Sequence, residues 1–232
     1  MSRILLFALV LAAGAQDPSP QWRNYTWGFL KVYPDRVELP QQEALRIQKL
    51  HLAHLTSLSD AGELLAAGPI LTPGELRGVL IFRTNSVEKT RRMAESDPAV
   101  VNQRLVVELH PWMATPGIGE AFAAARRADP KYEVKMLRYQ LAVLSKGSSW
   151  KTAPDIVDLE DHRRYVRRLG ETGKLAASGR FTDSRDGGIL VLNASSLDEA
   201  RLLASADPFV KSGQFTFEIL EWMCADGVMP GR

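Results

Sequence analysis

The sequence predicts an α+β protein made of two βαββαβ modules, and three observations carry that prediction. The chain repeats itself: Gly62-Glu63-Leu64-Leu65-Ala66-Ala67-Gly68 recurs as Gly173-Lys174-Leu175-Ala176-Ala177-Ser178-Gly179, 111 residues further on. Strand-like and helix-like apolar periods follow one another in the same order in both halves. The punctuation also recurs, with Ser86 and Ser196 before each second helix and Asp97-Pro98 and Asp207-Pro208 after it. From Gly78 and Gly188 onward the offset is 110 and holds through Trp112-Met113 and Trp222-Met223, so one hairpin residue accounts for the change. Halves of about 100 residues are domain-sized, whereas a solenoid stacks several short repeats.

At the N-terminus, Arg3, the short apolar run Ile4 to Ala13 and the small residues Ala13-Gly14-Ala15 before Gln16 read as a signal peptide over 1–15. The mature protein is then exported, to a periplasm or the extracellular space. A run of about ten apolar residues falls short of the roughly 20 needed to span a bilayer, so no membrane partner is expected. Residues 16–24, with Asp17-Pro18-Ser19-Pro20, read as linker. The modules are expected over 25–113 and 132–223, joined by a linker over 114–131 that contains a short helix at 119–127, with a tail over 224–232.

Within each module the first strand, Tyr25 to Tyr33 or Glu133 to Ser145, is rich in aromatic and β-branched residues. Pro40 and Pro154 open the first helices, whose apolar residues (Leu55 and Leu58; Leu159, Val166 and Leu169) fall at helical spacing up to Gly62 and Gly173. Leu64 to Leu71 with Gly78 to Thr84, and Leu175 to Thr182 with Gly188 to Ala194, read as hairpins. Ser86 and Ser196 then cap the second helices, Glu199 completing a capping box with Ser196, and the Asp-Pro pairs stop them. The last strands are Leu105 to Met113 and Phe215 to Met223. This is the ferredoxin-like order, two helices over one face of a four-stranded sheet, and the two uncovered apolar faces are expected to pack sheet to sheet as an intramolecular dimeric α+β barrel. The protein is then a monomeric pseudo-dimer or a homo-oligomer of such units.

Composition narrows the partners. A net charge of +2, with 29 Lys and Arg against 27 Asp and Glu, gives no basic stripe for nucleic acid. The cluster His162-Arg163-Arg164 with Arg167-Arg168 reads either as an anion-attracting surface or as a solvated helix face. Cys224 is alone, so no internal disulfide forms. There is no Gly-rich phosphate loop, no Gly-x-Ser-x-Gly elbow and no paired Cys nucleophile, and His51 with His54 lacks a third ligand at metal-site spacing. Neither a cofactor nor a metal is expected.

What remains are two repeat-equivalent pairs. His51 and His162 are matched across the halves and lie on the helix stripe that faces the sheet, and Asp97 and Asp207 close the second helices. Each His reads either as a core residue bonded to backbone or as a functional group, and each Asp as a turn former or its partner. A carboxylate on one imidazole nitrogen fixes the tautomer and raises the basicity of the other, as a general base requires. His54, opposite Tyr165, reads as exposed or at a pocket rim, and His110, opposite Leu220, has no repeated role. The second half carries Phe209 where the first has Ala99.

The residues His51-Leu52-Ala53-His54-Leu55, Gly62 to Pro69, Ala206-Asp207-Pro208-Phe209 and Pro111-Trp112 resemble the YCII-related (YciI-like) family, over about 200 residues taken as two modules. That resemblance implies a ferredoxin-like fold dimerising as an α+β barrel, with a His/Asp active site that falls on His51, Asp97, His162 and Asp207. One branch of the family is similar to a dehydrochlorinase of a chlorinated hydroxyhydroquinone. The function expected is cofactor-independent acid/base chemistry (elimination, isomerisation or hydrolysis) on a small polar or phenolic compound. The alternative is a non-catalytic small-molecule-binding or interaction protein of the same fold.

Overall fold

The computed structural model describes residues 21–129 and 131–231; the expected signal peptide lies outside them. The first half runs β1 (Arg23–Val32), α1 (Gln41–Asp60), β2 (Leu64–Pro69), β3 (Leu76–Phe82), α2 (Val87–Glu95), α3 (Pro98–Val101) and β4 (Leu105–Ala114). After α4 (Glu120–Ala128), the second half repeats that order as β5 (Met136–Lys146), α5 (Ile156–Glu171), β6 (Leu175–Phe181), β7 (Gly188–Leu192), α6 (Leu197–Ser205), α7 (Pro208–Lys211) and β8 (Phe215–Ala225). Even the irregularities recur, since the β2–β3 and β6–β7 ladders each slip register, between Leu64 and Ala66 and between Leu175 and Ala177.

All eight strands join one antiparallel sheet of order β2-β3-β1-β4-β6-β7-β5-β8. The halves therefore meet edge to edge as well as face to face. At one seam β4 pairs with β6 through Trp112↔Phe181, Met113↔Arg180 and Ala114↔Gly179. At the other, the Ile70↔Trp222 bridge, the Leu71 N–H to Glu221 carbonyl bond (2.8 Å) and the Trp222 Nε1–H to Gly68 carbonyl bond (3.2 Å) bring β2 against β8 and nearly close the barrel. Closure removes the exposed edges that an open sheet would present to other chains.

Strand residues alternate between two buried environments, which is why the strands read as near-continuous apolar runs. In β3, Val79 and Ile81 face the barrel interior while Leu80 and Phe82 lie under the helices; in β7, Ile189 and Val191 face in and Leu190 and Leu192 face out. The interior is solid. Trp27 packs edge-on against Trp112 at 4.8 Å between centroids, Trp222 lies 6.3 Å from Trp27, and Tyr139 lies 6.1 Å from Trp222.

Three expectations are corrected. The Asp-Pro pairs stop α2 and α6 but also start new one-turn helices, because Asp97 and Asp207 accept from the N–H of Ala99 (2.8 Å) and Phe209 (2.9 Å) and proline suits the first helical position. Glu199 does complete a cap, but its carboxylate receives Ser195 N–H (2.7 Å) and hydroxyl (2.6 Å) instead of the N–H of Ser196. Residues 224–232, expected as a tail, begin inside β8 with the fully buried Cys224, and Val228 and Met229 join the barrel core. Burial pushes the Cys224 thiol well above its ordinary pKa.

Candidate functional site

His51 sits midway along α1, one turn from Ile47, and these two are the helix's buried side chains. The reason is packing: α1 lies against α3, so the stripe carrying His51 points at the Asp97-Pro98 junction. His51 Nδ1 is 2.9 and 2.7 Å from the two carboxylate oxygens of Asp97. Asp97 is itself buried, and one of its oxygens caps α3. The second half repeats the construction, with His162 Nδ1 2.8 and 2.9 Å from the oxygens of Asp207, which also caps α7. The four residues singled out in the sequence thus meet as two pairs.

The chemistry of each pair follows from donor counting. An ionised carboxylate only accepts, so Nδ1 carries the proton that it donates to the aspartate, leaving the Nε2 lone pair available. Among the described residues no hydrogen-bond partner faces Nε2 of either ring. The short helix cap holds the carboxylate, and the carboxylate holds the ring.

The surroundings differ. His51 lines a cleft of about 1040 Å³ that runs along α1, over the outer face of β2 and β3, toward α4. Ala99 leaves the ring's neighbourhood open. In the second half Phe209 takes that position and stacks on the His162 ring, with 4.6 Å between centroids and 11° between planes, and Phe215 packs edge-on against Phe209 at 5.4 Å. His162 does not line the large cleft, although its side chain is more exposed (19%) than that of His51 (9%).

Two further histidines have structural partners. His54 is neither exposed nor at a pocket rim: it is half-buried and its Nε2 donates to the Met93 carbonyl at 3.0 Å. Tyr165, its repeat counterpart, donates to the Leu203 carbonyl at 2.6 Å, so two chemically different side chains tie the first helix to the second in the two halves. His110 lies beside the β4–β6 seam, with Nδ1 2.8 Å from Asp183 and Nε2 2.8 Å from Glu108. Lys31 and Arg185 also bond Glu108, and the Arg185 guanidinium stacks over Phe29 and Phe181 at 5.0 and 5.3 Å. The sequence carried half of this signal, since Glu108 and His110 two apart on a strand share a face; Asp183 and Arg185 arrive from the second half's hairpin. Among the described residues no group of three His, Cys, Asp or Glu side chains is arranged to hold a metal ion, and no helix is long and apolar enough to cross a membrane.

Comparison with known proteins agrees with this architecture. The model of the YCII-related domain matches residues 141–223. The uncharacterized protein YjpA of Bacillus subtilis (strain 168) is 39% identical over 61 residues, which are 26% of this chain and 71% of that protein. A crystal structure described as "Putative Chlorite dismutase" superposes with a TM-score of 0.56 at 9% identity, covering 88% of this chain and 95% of that one, a likeness of fold alone. With the family model on its second half and a relative of this identity and coverage, the chain belongs to the YCII-related family.

Proposed function

We propose that the first half is a small-molecule site in which His51 Nε2 takes or delivers a proton, Asp97 orients the ring, and the reaction is a cofactor-independent elimination, isomerisation or hydrolysis of a small polar or phenolic compound. The observation that carries this reading is the coincidence of the oriented imidazole with the large cleft, found at His51 and not at His162. The arrangement answers what general-base chemistry asks for: a fixed tautomer, a free nitrogen and a concave, largely apolar site. The His162–Asp207 pair, capped by the Phe209 ring, then serves mainly to hold α5 on α7. From the signal peptide expected over residues 1–15, we propose that this activity lies outside the cytoplasm.

A second reading is favoured by the shallow exposure of the His51 side chain, 9%: the cleft binds a ligand without transforming it. The two readings separate in deuterium oxide. Wild-type protein should catalyse deuterium incorporation at the acidic C–H of enolisable ketones, lactones or hydroxyquinols that stabilise it thermally. His51→Ala should lower that rate by about 10²-fold or more, the range of general-base contributions, while His162→Ala leaves it unchanged. Incorporation that survives His51→Ala removes His51 from the reaction, and incorporation missing from every stabilising compound replaces catalysis with binding alone.

A further inference from the structure

Arg104 follows α3, and its relative exposure is 8%. One guanidinium nitrogen, Nη1, donates to the Val37 carbonyl in the loop between β1 and α1. Arg104 lines the cleft, no carboxylate among the described residues lies within ion-pair distance of it, and its remaining N–H groups keep some contact with solvent. A largely buried cation without a counter-charge is costly, so an anion entering the cleft would meet a guanidinium that is already partly desolvated and unpaired.

Three further facts point the same way. Arg104 N–H bonds the Ala99 carbonyl at 2.8 Å, and Ala99 N–H bonds Asp97, so the arginine and the partner of His51 are built on one short turn, and Arg104 and His51 line the same cleft. Arg36 and Arg77 also line it without carboxylate partners among the described residues, Arg126 is engaged by Asp60 at 2.8 Å, and Asp129 is the one carboxylate on the lining. In the second half the position of Arg104 is held by Gln214, a neutral side chain whose Oε1 simply accepts Lys151 N–H at 3.0 Å. The half without the cleft has no cation there.

We infer that the first-half cleft takes a small organic carboxylate, anchored by the Arg104 guanidinium and seated with its apolar body between α1 and the sheet. A planar guanidinium matches a carboxylate bidentately, and walls such as Leu30, Ile47, Leu55 and Leu105 suit an apolar body better than an inorganic anion. The inference rests on the cleft being the ligand site proposed above, and it assigns the charge of that ligand.

The test is a calorimetric or thermal-shift comparison of small carboxylates (benzoate, phenylacetate, hexanoate) with their primary amides and with inorganic phosphate, on wild type, Arg104→Gln, Arg104→Lys and His51→Ala. Wild type should bind at least one acid about tenfold or more tighter than its amide, the scale of a charge-assisted pair. Arg104→Gln, which copies the second half, should erase that preference while amide binding persists; Arg104→Lys should keep part of it, and His51→Ala all of it. Acids bound no better than amides or phosphate, or an acid preference that survives Arg104→Gln, overturns the inference. An acid-to-amide ratio near one in wild type overturns the inference by itself, and if the glutamine variant is unstable an acid preference undiminished in Arg104→Lys overturns it as well. Deuterium exchange lost in His51→Ala with no acid preference anywhere sinks the carboxylate site and spares the acid/base reading; an Arg104-dependent preference with no exchange does the reverse.

Discussion

The most informative perturbation is a double-mutant cycle on His51 and Asp97, because both side chains are nearly buried (9% and 3% exposed) and little screening dilutes their bond. Asp97→Ser keeps a good N-cap for Ala99 but is too short to reach the imidazole, so it removes the pair without unwinding α3. A hydrogen bond to an ionised carboxylate contributes about 2 kcal/mol, within a range of about 1.5–3. His51→Ala also loses packing beside Ile47, and Asp97→Ser loses whatever the carboxylate gives its own surroundings, but both extras cancel in the cycle. The coupling energy from urea unfolding midpoints of the four proteins at neutral pH should therefore be about 2 kcal/mol. The corresponding cycle on His162 and Asp207 should give a smaller value, since that ring is twice as exposed. Coupling at His51–Asp97 below about 0.5 kcal/mol, the additivity expected of independent sites, would falsify the claim that carboxylate and ring hold each other in solution.

Two other expectations test the barrel and its seam. An alanine Cβ at Gly68 would sit 1.7 Å from the Met223 carbonyl oxygen, so Gly68→Ala must push β2 from β8 and should cost about 3 kcal/mol or more; Gly170→Ala, with open space around it in α5, should gain about 0.5–1 kcal/mol, both read from denaturant midpoints. Burial raises the Glu108 carboxyl, but its bonds with Lys31 and His110 outweigh that and hold it below the ordinary glutamate value. A depressed carboxyl contributes stability that is complete above its unfolded pKa and is lost as pH falls through the folded one. The stability gap between wild type and Glu108→Gln should therefore be constant near neutrality and shrink on acidification below the ordinary glutamate range. A gap that widens there would contradict the geometry.

Much of the fold was legible because it rests on local rules. The repeated Gly62 and Gly173 turn at positive φ (72° and 68°), where a side chain is strained, and Ser86 and Ser196 cap the second helices as their positions suggested. Cys224 was misplaced because nothing local distinguishes the end of an apolar strand from an apolar tail; its burial is set by β5 on one side and the barrel core on the other. Arg104 was passed over for a related reason. A single arginine at the start of a strand looks like a solvated charge, and its replacement by Gln214 in the second half was the one sequence clue that it does something particular.

The sequence by itself determined which residue types stand at equivalent places in two modules: a histidine on each first helix, an aspartate before each proline, Ala99 against Phe209. Spacing and repetition set those facts, and they hold whatever the chain packs against. Only the tertiary structure decided that α1 lies on α3 so that His51 meets Asp97, that Phe209 covers His162 while Ala99 leaves His51 on an open cleft, and that Arg104 is largely buried there with no carboxylate partner among the described residues. Contacts between segments 45 or more residues apart depend on how whole elements dock, and docking is settled by the closure of the barrel rather than by any local run of residues.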